Sequence, residues 1–212
     1  MTATRLQLPL ALLVALLLAL LLGGCISVGI GGSEPTPEIR FHVLASPATT
    51  ARTKELWPSS IAVRGLDVRG RYEARVVESD GADTLRFREF ERWADEPDEA
   101  LTVAVRESLV AQGNFQAVLS AGSGLRADLE LSGQVLAFDL VRPAEGPLRA
   151  RFVARLVLSE GRSGELKHVV SVRGEQPLTG RDATGLGTAM AAAVDQAIQK
   201  LLANWKASGA LK

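Results

Sequence analysis

The sequence predicts a single α/β domain, built as a mixed, mostly antiparallel sheet with two long helices. Three observations carry this. Between residues 38 and 208, segments with apolar side chains at every second position outnumber those with helical spacing. Turn signals join neighbouring strands into hairpins, notably Asp80-Gly81 and Glu160-Gly161-Arg162-Ser163-Gly164. Two well-separated stretches place apolar residues three or four apart, as helices that cover one face of a sheet do.

The first strand is expected from Ile39 to Leu44, with Ile39, Phe41 and Val43 on one face, and the second from Ser60 to Val68. A hairpin follows: Ala74 to Glu78, the turn Ser79-Asp80-Gly81-Ala82, then Leu85 to Phe90 with Leu85 and Phe87 alternating. Asp95-Glu96-Pro97-Asp98-Glu99 opens a helix, because carboxylates suit the positive end of the helix dipole and proline suits the first turn. Leu101, Val105 and Leu109 continue it at helical spacing to a stop at Gly113. Phe115 to Ser120 is a short strand and Asp128 to Val141 a long one, with Leu129, Leu131, Gly133, Val135 and Ala137 on one side. Arg149 to Ser159 and Glu165 to Arg173 form the second hairpin. The last element, from about Thr184 to Lys206, carries Leu186, Met190, Val194, Ala197, Leu201 and Trp205 along one stripe. No repeat and no second domain boundary interrupts residues 38–208.

The N-terminus has a different composition. Arg5 is the one charge in residues 1–24, and an apolar run from Leu6 to Leu22 ends in Gly23 and Gly24, the layout of a secretory signal. An uncleaved membrane anchor is the alternative, but the run is about 17 residues with Pro9 inside it, short of the roughly 20 needed to cross a bilayer. Cys25 is the single cysteine of the chain, so it has no intrachain disulfide partner in the oxidising compartment a signal implies. Ile26 to Pro37 is rich in Gly, Ser, Pro and Thr and is expected to be a tether. Its 12 residues give a root-mean-square reach of roughly 20 Å if flexible.

Removing the 24-residue signal from 212 residues leaves 188, enough for one domain with a real core. The remaining chain has 23 Lys plus Arg against 24 Asp plus Glu, since the signal holds one arginine and no acid. That balance gives no long-range attraction to nucleic acid.

No catalytic or metal-binding constellation is legible, and no cofactor is expected. His42 and His168 are far apart, each inside an alternating segment, where a structural or surface role is the simpler expectation. No HExxH, Walker loop or GxSxG elbow occurs. Asp95, Glu96, Asp98 and Glu99 could form an acid–base pair or bind a cation, but a solvated first helical turn explains them more simply. Trp57 and Trp93 are candidate partner-binding residues, since tryptophan anchors either a core or an interface.

Several of these residues together resemble a known family. Leu22-Gly23-Gly24-Cys25 is similar to the lipobox of bacterial lipoproteins. The segments Phe41-His42-Val43-Leu44, Ile61-Ala62-Val63, Glu91-Arg92-Trp93-Ala94-Asp95-Glu96-Pro97, Phe115-Gln116-Ala117-Val118 and Ala127-Asp128-Leu129-Glu130-Leu131 resemble, in order, the ABC-type transport auxiliary lipoprotein family, which includes the PqiC-type intermembrane transport lipoproteins. The resemblance implies a diacylglycerol thioether at Cys25 and a three-layer fold like the N-terminal domain of TolB. It also implies partnership with an MCE-domain protein and its ABC permease and ATPase, in moving lipids or other hydrophobic molecules across the envelope, without enzymatic activity. A ring or other homo-oligomer would suit such an accessory. The residue after Cys25 is Ile26, not the aspartate that retains lipoproteins in the inner membrane, so the expected location is the outer membrane with the domain facing the periplasm. A stand-alone envelope enzyme or soluble-ligand binder is the competing expectation; it requires a pocket with convergent polar groups.

Overall fold

The expected alternation and helical spacing become ten principal elements. The structure, a computed structural model, describes residues 37–46, 56–81, 84–179 and 183–211. The expected signal, Cys25, the expected tether up to Thr36 and the turn residue Ala82 lie outside the described residues. From Glu38 onward the chain is one compact unit. Its elements are β1 (Arg40–His42), β2 (Trp57–Val68), β3 (Arg75–Ser79), β4 (Leu85–Trp93), α1 (Pro97–Gln112), β5 (Phe115–Ser120), β6 (Leu129–Val141), β7 (Arg149–Glu160), β8 (Leu166–Pro177) and α2 (Leu186–Ser208).

All eight strands belong to one mixed sheet in which β6 is the hub. Along one edge β6 pairs antiparallel with β7 from Leu129↔Glu160 to Val141↔Arg149, and β7 pairs in turn with β8. A strand has only two edges, so β2 and β3 must share the other. β2 takes Leu129 to Val135 and β3 takes Leu140 and Val141, both parallel. β5 extends the sheet beyond β2, while β3, β4 and β1 form a wing, with β1 parallel to β4 at the outer edge. The antiparallel ladders around β7 are the longest, and the one with β8 is the hairpin expected from the turn at Glu160-Gly161-Arg162-Ser163-Gly164.

A bulge between Val135 and Ala137 shifts the expected face of β6. Cross-strand partners reveal the change: Val135 sits opposite Ala154, Phe138 opposite Phe152 and Leu140 opposite Ala150, all on the buried side of β7. Beyond the bulge, Phe138 and Leu140 therefore continue the core stripe in place of Ala137, because one extra residue inverts the period-two count.

α1 begins at Pro97 with Glu96 as N-cap and ends at Gly113, whose φ of 67° lies in the left-handed region. It packs Leu101, Val105 and Leu109, all at 0% exposure, against β2 and β5. α2 packs on β7 and β8. Its small residues bring its backbone so close to β8 that a Cβ at Gly174 would collide with the Ala193 carbonyl. The two helices touch each other at Asp195, which accepts hydrogen bonds from Ser108 Oγ and Gln112 Nε2 on α1, both at 2.8 Å. They therefore share one face of the sheet, in the mixed α/β single domain with two long helices that the sequence predicts.

Candidate docking face

The wing inverts the usual arrangement of an amphipathic strand. Ile39, Phe41 and Val43 alternate with Arg40 and His42, and in β1 the polar pair turns toward β4: His42 is largely covered, while the Arg40 side chain stays half-exposed with its guanidinium reaching back to the same partner. The reason is Glu91 on β4, whose side chain is 3% exposed. A carboxylate so buried needs charged or hydrogen-bonding partners. Arg40 bonds one of its oxygens and His42 Nε2 the other, with Arg88 Nη2 at 3.8 Å. Pinning Arg40 and His42 to Glu91 leaves the apolar set facing out: Ile39 is 48% exposed, Phe41 66% and Val43 64%.

Strand register extends this outer face. Phe41 pairs with Arg92 on β4, and Arg92 with Arg75 on β3, so the three side chains share one side of the wing. The Arg75 guanidinium lies 4.2 Å from the centroid of the exposed Phe87 ring, a cation–π contact. Arg92 Nη1 donates to the carbonyls of Arg88 and Glu91 at 3.2 and 3.0 Å, which holds its side chain against the wing. Phe90 is exposed in the same irregular stretch of β4. The result is a face of aromatic, aliphatic and arginine side chains at what is, among the described residues, an outer edge of the sheet. The alternation of Ile39, Phe41 and Val43 was legible in sequence, but the side they face was not.

A second carboxylate joins the wing to the sheet. Burial pushes the Glu78 carboxyl up, but hydrogen bonds from Arg142 and Arg88 outweigh it and hold the group below the usual carboxylate range. The Arg142 Nε and Arg88 Nη1 bonds measure 2.6 and 2.8 Å.

Trp93 is not on the docking face. It is 5% exposed, and its ring stacks on Phe138 with centroids 4.6 Å apart, so it anchors the wing to the core. Trp57 is half-buried beside Phe115, ring centroids 5.1 Å apart, at the start of β2. The structure thus separates these two candidates, and it adds Phe41, Arg75 and Arg92, which sequence reasoning did not assign to a site. His168 Nε2 bonds Asn204 Oδ1 on α2 at 2.8 Å, and His42 is committed to Glu91, so the two histidines serve separate contacts. Two shallow clefts flank the start of α1, one beside Leu44 and Asp95, the other beside Leu66 and Tyr72; neither is lined by a histidine. Among the described residues no three His, Cys, Asp or Glu side chains gather as a metal site.

The fold has solved counterparts. Protein XCC0632 from Xanthomonas campestris aligns with a TM-score of 0.63 at 15% identity, over 78% of this chain and 94% of its own. An uncharacterized protein aligns with a TM-score of 0.57 at 15% identity, over 76% and 94%. A PelC dodecamer from Paraburkholderia phytofirmans gives 0.43 at 15% identity, over 72% and 94%. At such identities the first two likenesses show a common fold and nothing further. No curated protein matches the sequence. The model of one family, described as the ABC-type transport auxiliary lipoprotein component, does match it, from residue 42 on β1 to residue 203 on α2, and the chain belongs to that family.

Proposed function

We propose that this transport auxiliary lipoprotein is a non-enzymatic accessory that couples an MCE-type ABC transport system to the outer membrane. The observation that carries the reading is the family match over residues 42–203, in a chain whose first 25 residues have the composition of a signal and the lipobox-like tetrad Leu22-Gly23-Gly24-Cys25. In this reading Cys25 bears the lipid and becomes the mature N-terminus. Several acyl chains, each buried methylene contributing about 0.8 kcal/mol, then make a stable anchor. Ile26 in place of aspartate supports transfer to the outer membrane, with the domain in the periplasm. The cargo is a lipid or another hydrophobic molecule, and a homo-oligomeric collar around the MCE protein would suit the role.

With the Trp93 ring buried, the protein-facing surface of this reading lies on the exposed flank of α1, where Val110 is open to solvent, and around the half-open Trp57. Affinity capture from native envelopes, with the lipidated full-length chain as bait, tests the assignment. Recovery of an MCE-domain protein with its permease and ATPase supports it. Recovery of peptidoglycan enzymes alone overturns it.

A further inference from the structure

We infer that the outer face of the wing, centred on Phe41, Arg75 and Arg92, rests on the surface of an anionic phospholipid bilayer. The inference depends on the proposed lipid anchor at Cys25 and adds a second, non-covalent membrane contact made by the domain itself.

Two observations lead to a bilayer as the occupant. The first is chain length. Only the 12 residues from Ile26 to Pro37 separate Cys25 from Glu38, and Ile39, the first of the exposed apolar residues, comes next. A fully extended chain advances at most about 3.6 Å per residue, so a lipid on Cys25 confines β1 to within roughly 50 Å of the bilayer surface, and far closer on average. β1 is the described strand nearest to the anchor along the chain.

The second is chemistry. The face combines aliphatic residues, the rings of Phe41 and Phe87, and arginines, the composition that sits at a lipid headgroup boundary. The charged side chains that strand register places beside Phe41 are Arg92 and Arg75. The buried acids of the wing are neutralised elsewhere, Glu91 by Arg40 and His42, and Glu78 by Arg88 and Arg142. Cationic groups flanking exposed apolar residues gain from anionic headgroups what they would not gain from a neutral surface. The apolar row inserts at the headgroup level while the guanidinium groups bond phosphate oxygens.

Site-directed labelling of the lipidated full-length chain tests this. Cys25 is the single native cysteine, so with its sulfur in a thioether, Phe41→Cys supplies the one free thiol, and Val110→Cys on α1 gives a control. Each protein carries a nitroxide in vesicles of phosphatidylethanolamine and phosphatidylglycerol. The expected result is several-fold lower access of a water-soluble nickel relaxant to position 41 than to position 110. That protection should fall in vesicles of neutral phosphatidylcholine, and with Arg75→Gln and Arg92→Gln together. Equal access at the two positions overturns the inference. Dipolar broadening between labels at position 41 also overturns it, because a second copy then covers the face. The mass of the N-terminal peptide separates the two readings: a lipidated peptide with an aqueous label at 41 removes only the membrane-resting face, whereas an unmodified Cys25 removes the anchor and this inference with it.

Discussion

Glu91 and Trp93 stand two positions apart on β4, and together they fix the wing. The carboxylate bonds Arg40 and His42 of β1, and the indole stacks on Phe138 of the central strand. Because Trp93 is a core residue, Trp93→Ala should destabilise the fold by about 3–5 kcal/mol, the range for emptying a large aromatic site. Urea unfolding followed by circular dichroism reads this; a change within a few tenths of a kcal/mol would mean the ring is a surface anchor after all. Glu78 supplies a pH dependence. Its folded carboxyl is held below the usual range by Arg142 and Arg88 against the opposing effect of burial. A depressed folded value means the unfolded state binds the proton more readily. The associated stability is therefore present above the ordinary glutamate pKa and lost as pH falls through the depressed folded one. Urea midpoints measured across the acid range should decline for the native chain, and Glu78→Gln should flatten that decline. A slope unchanged by the substitution would show that other carboxylates dominate.

At the scale of elements, the contact of helix with helix and of helix with strand is set by a few close approaches. Asp195 on α2 accepts from Ser108 and Gln112 on α1 and from Gln199 one turn along its own helix, each at 2.8 Å. Asp195→Ala leaves buried donors without their acceptor, so a loss of about 2–4 kcal/mol is expected, and a double-mutant cycle with Ser108→Ala should show coupling of about 1 kcal/mol or more. Additive effects would place the stabilisation elsewhere. Gly174 lets β8 meet α2 backbone to backbone, and Gly174→Ala should destabilise by about 1–3 kcal/mol through overpacking. Thermal unfolding checks it, and an unchanged midpoint would mean the helix can lift away freely.

For the whole molecule, the decisive prediction concerns the anchor. Cys25→Ala should move the protein from the membrane to the soluble periplasmic fraction, and Ile26→Asp should shift it toward the inner-membrane fraction, both read by sucrose-gradient sedimentation of labelled envelopes. Wild type already sedimenting with the inner membrane would overturn the outer-membrane assignment and leave the accessory reading standing. The sequence by itself determined the elements whose signals are local: α1 between Pro97 and Gly113, the hairpin of β7 and β8, and the apolar stripe of α2, because turn chemistry, capping and periodicity act within a few residues. The tetrad Leu22-Gly23-Gly24-Cys25, on which the proposed anchor rests, is likewise read directly from the chain. Only the tertiary structure decided which way β1 faces, since period-two alternation defines two sides without saying which is covered, and a glutamate 51 residues from Arg40 makes the choice. It alone showed that the helices share a face, that a bulge hands the core stripe of β6 from Ala137 to Phe138, and that Trp93 is buried. Each of these depends on contacts between residues distant in sequence, whose partners no local pattern names.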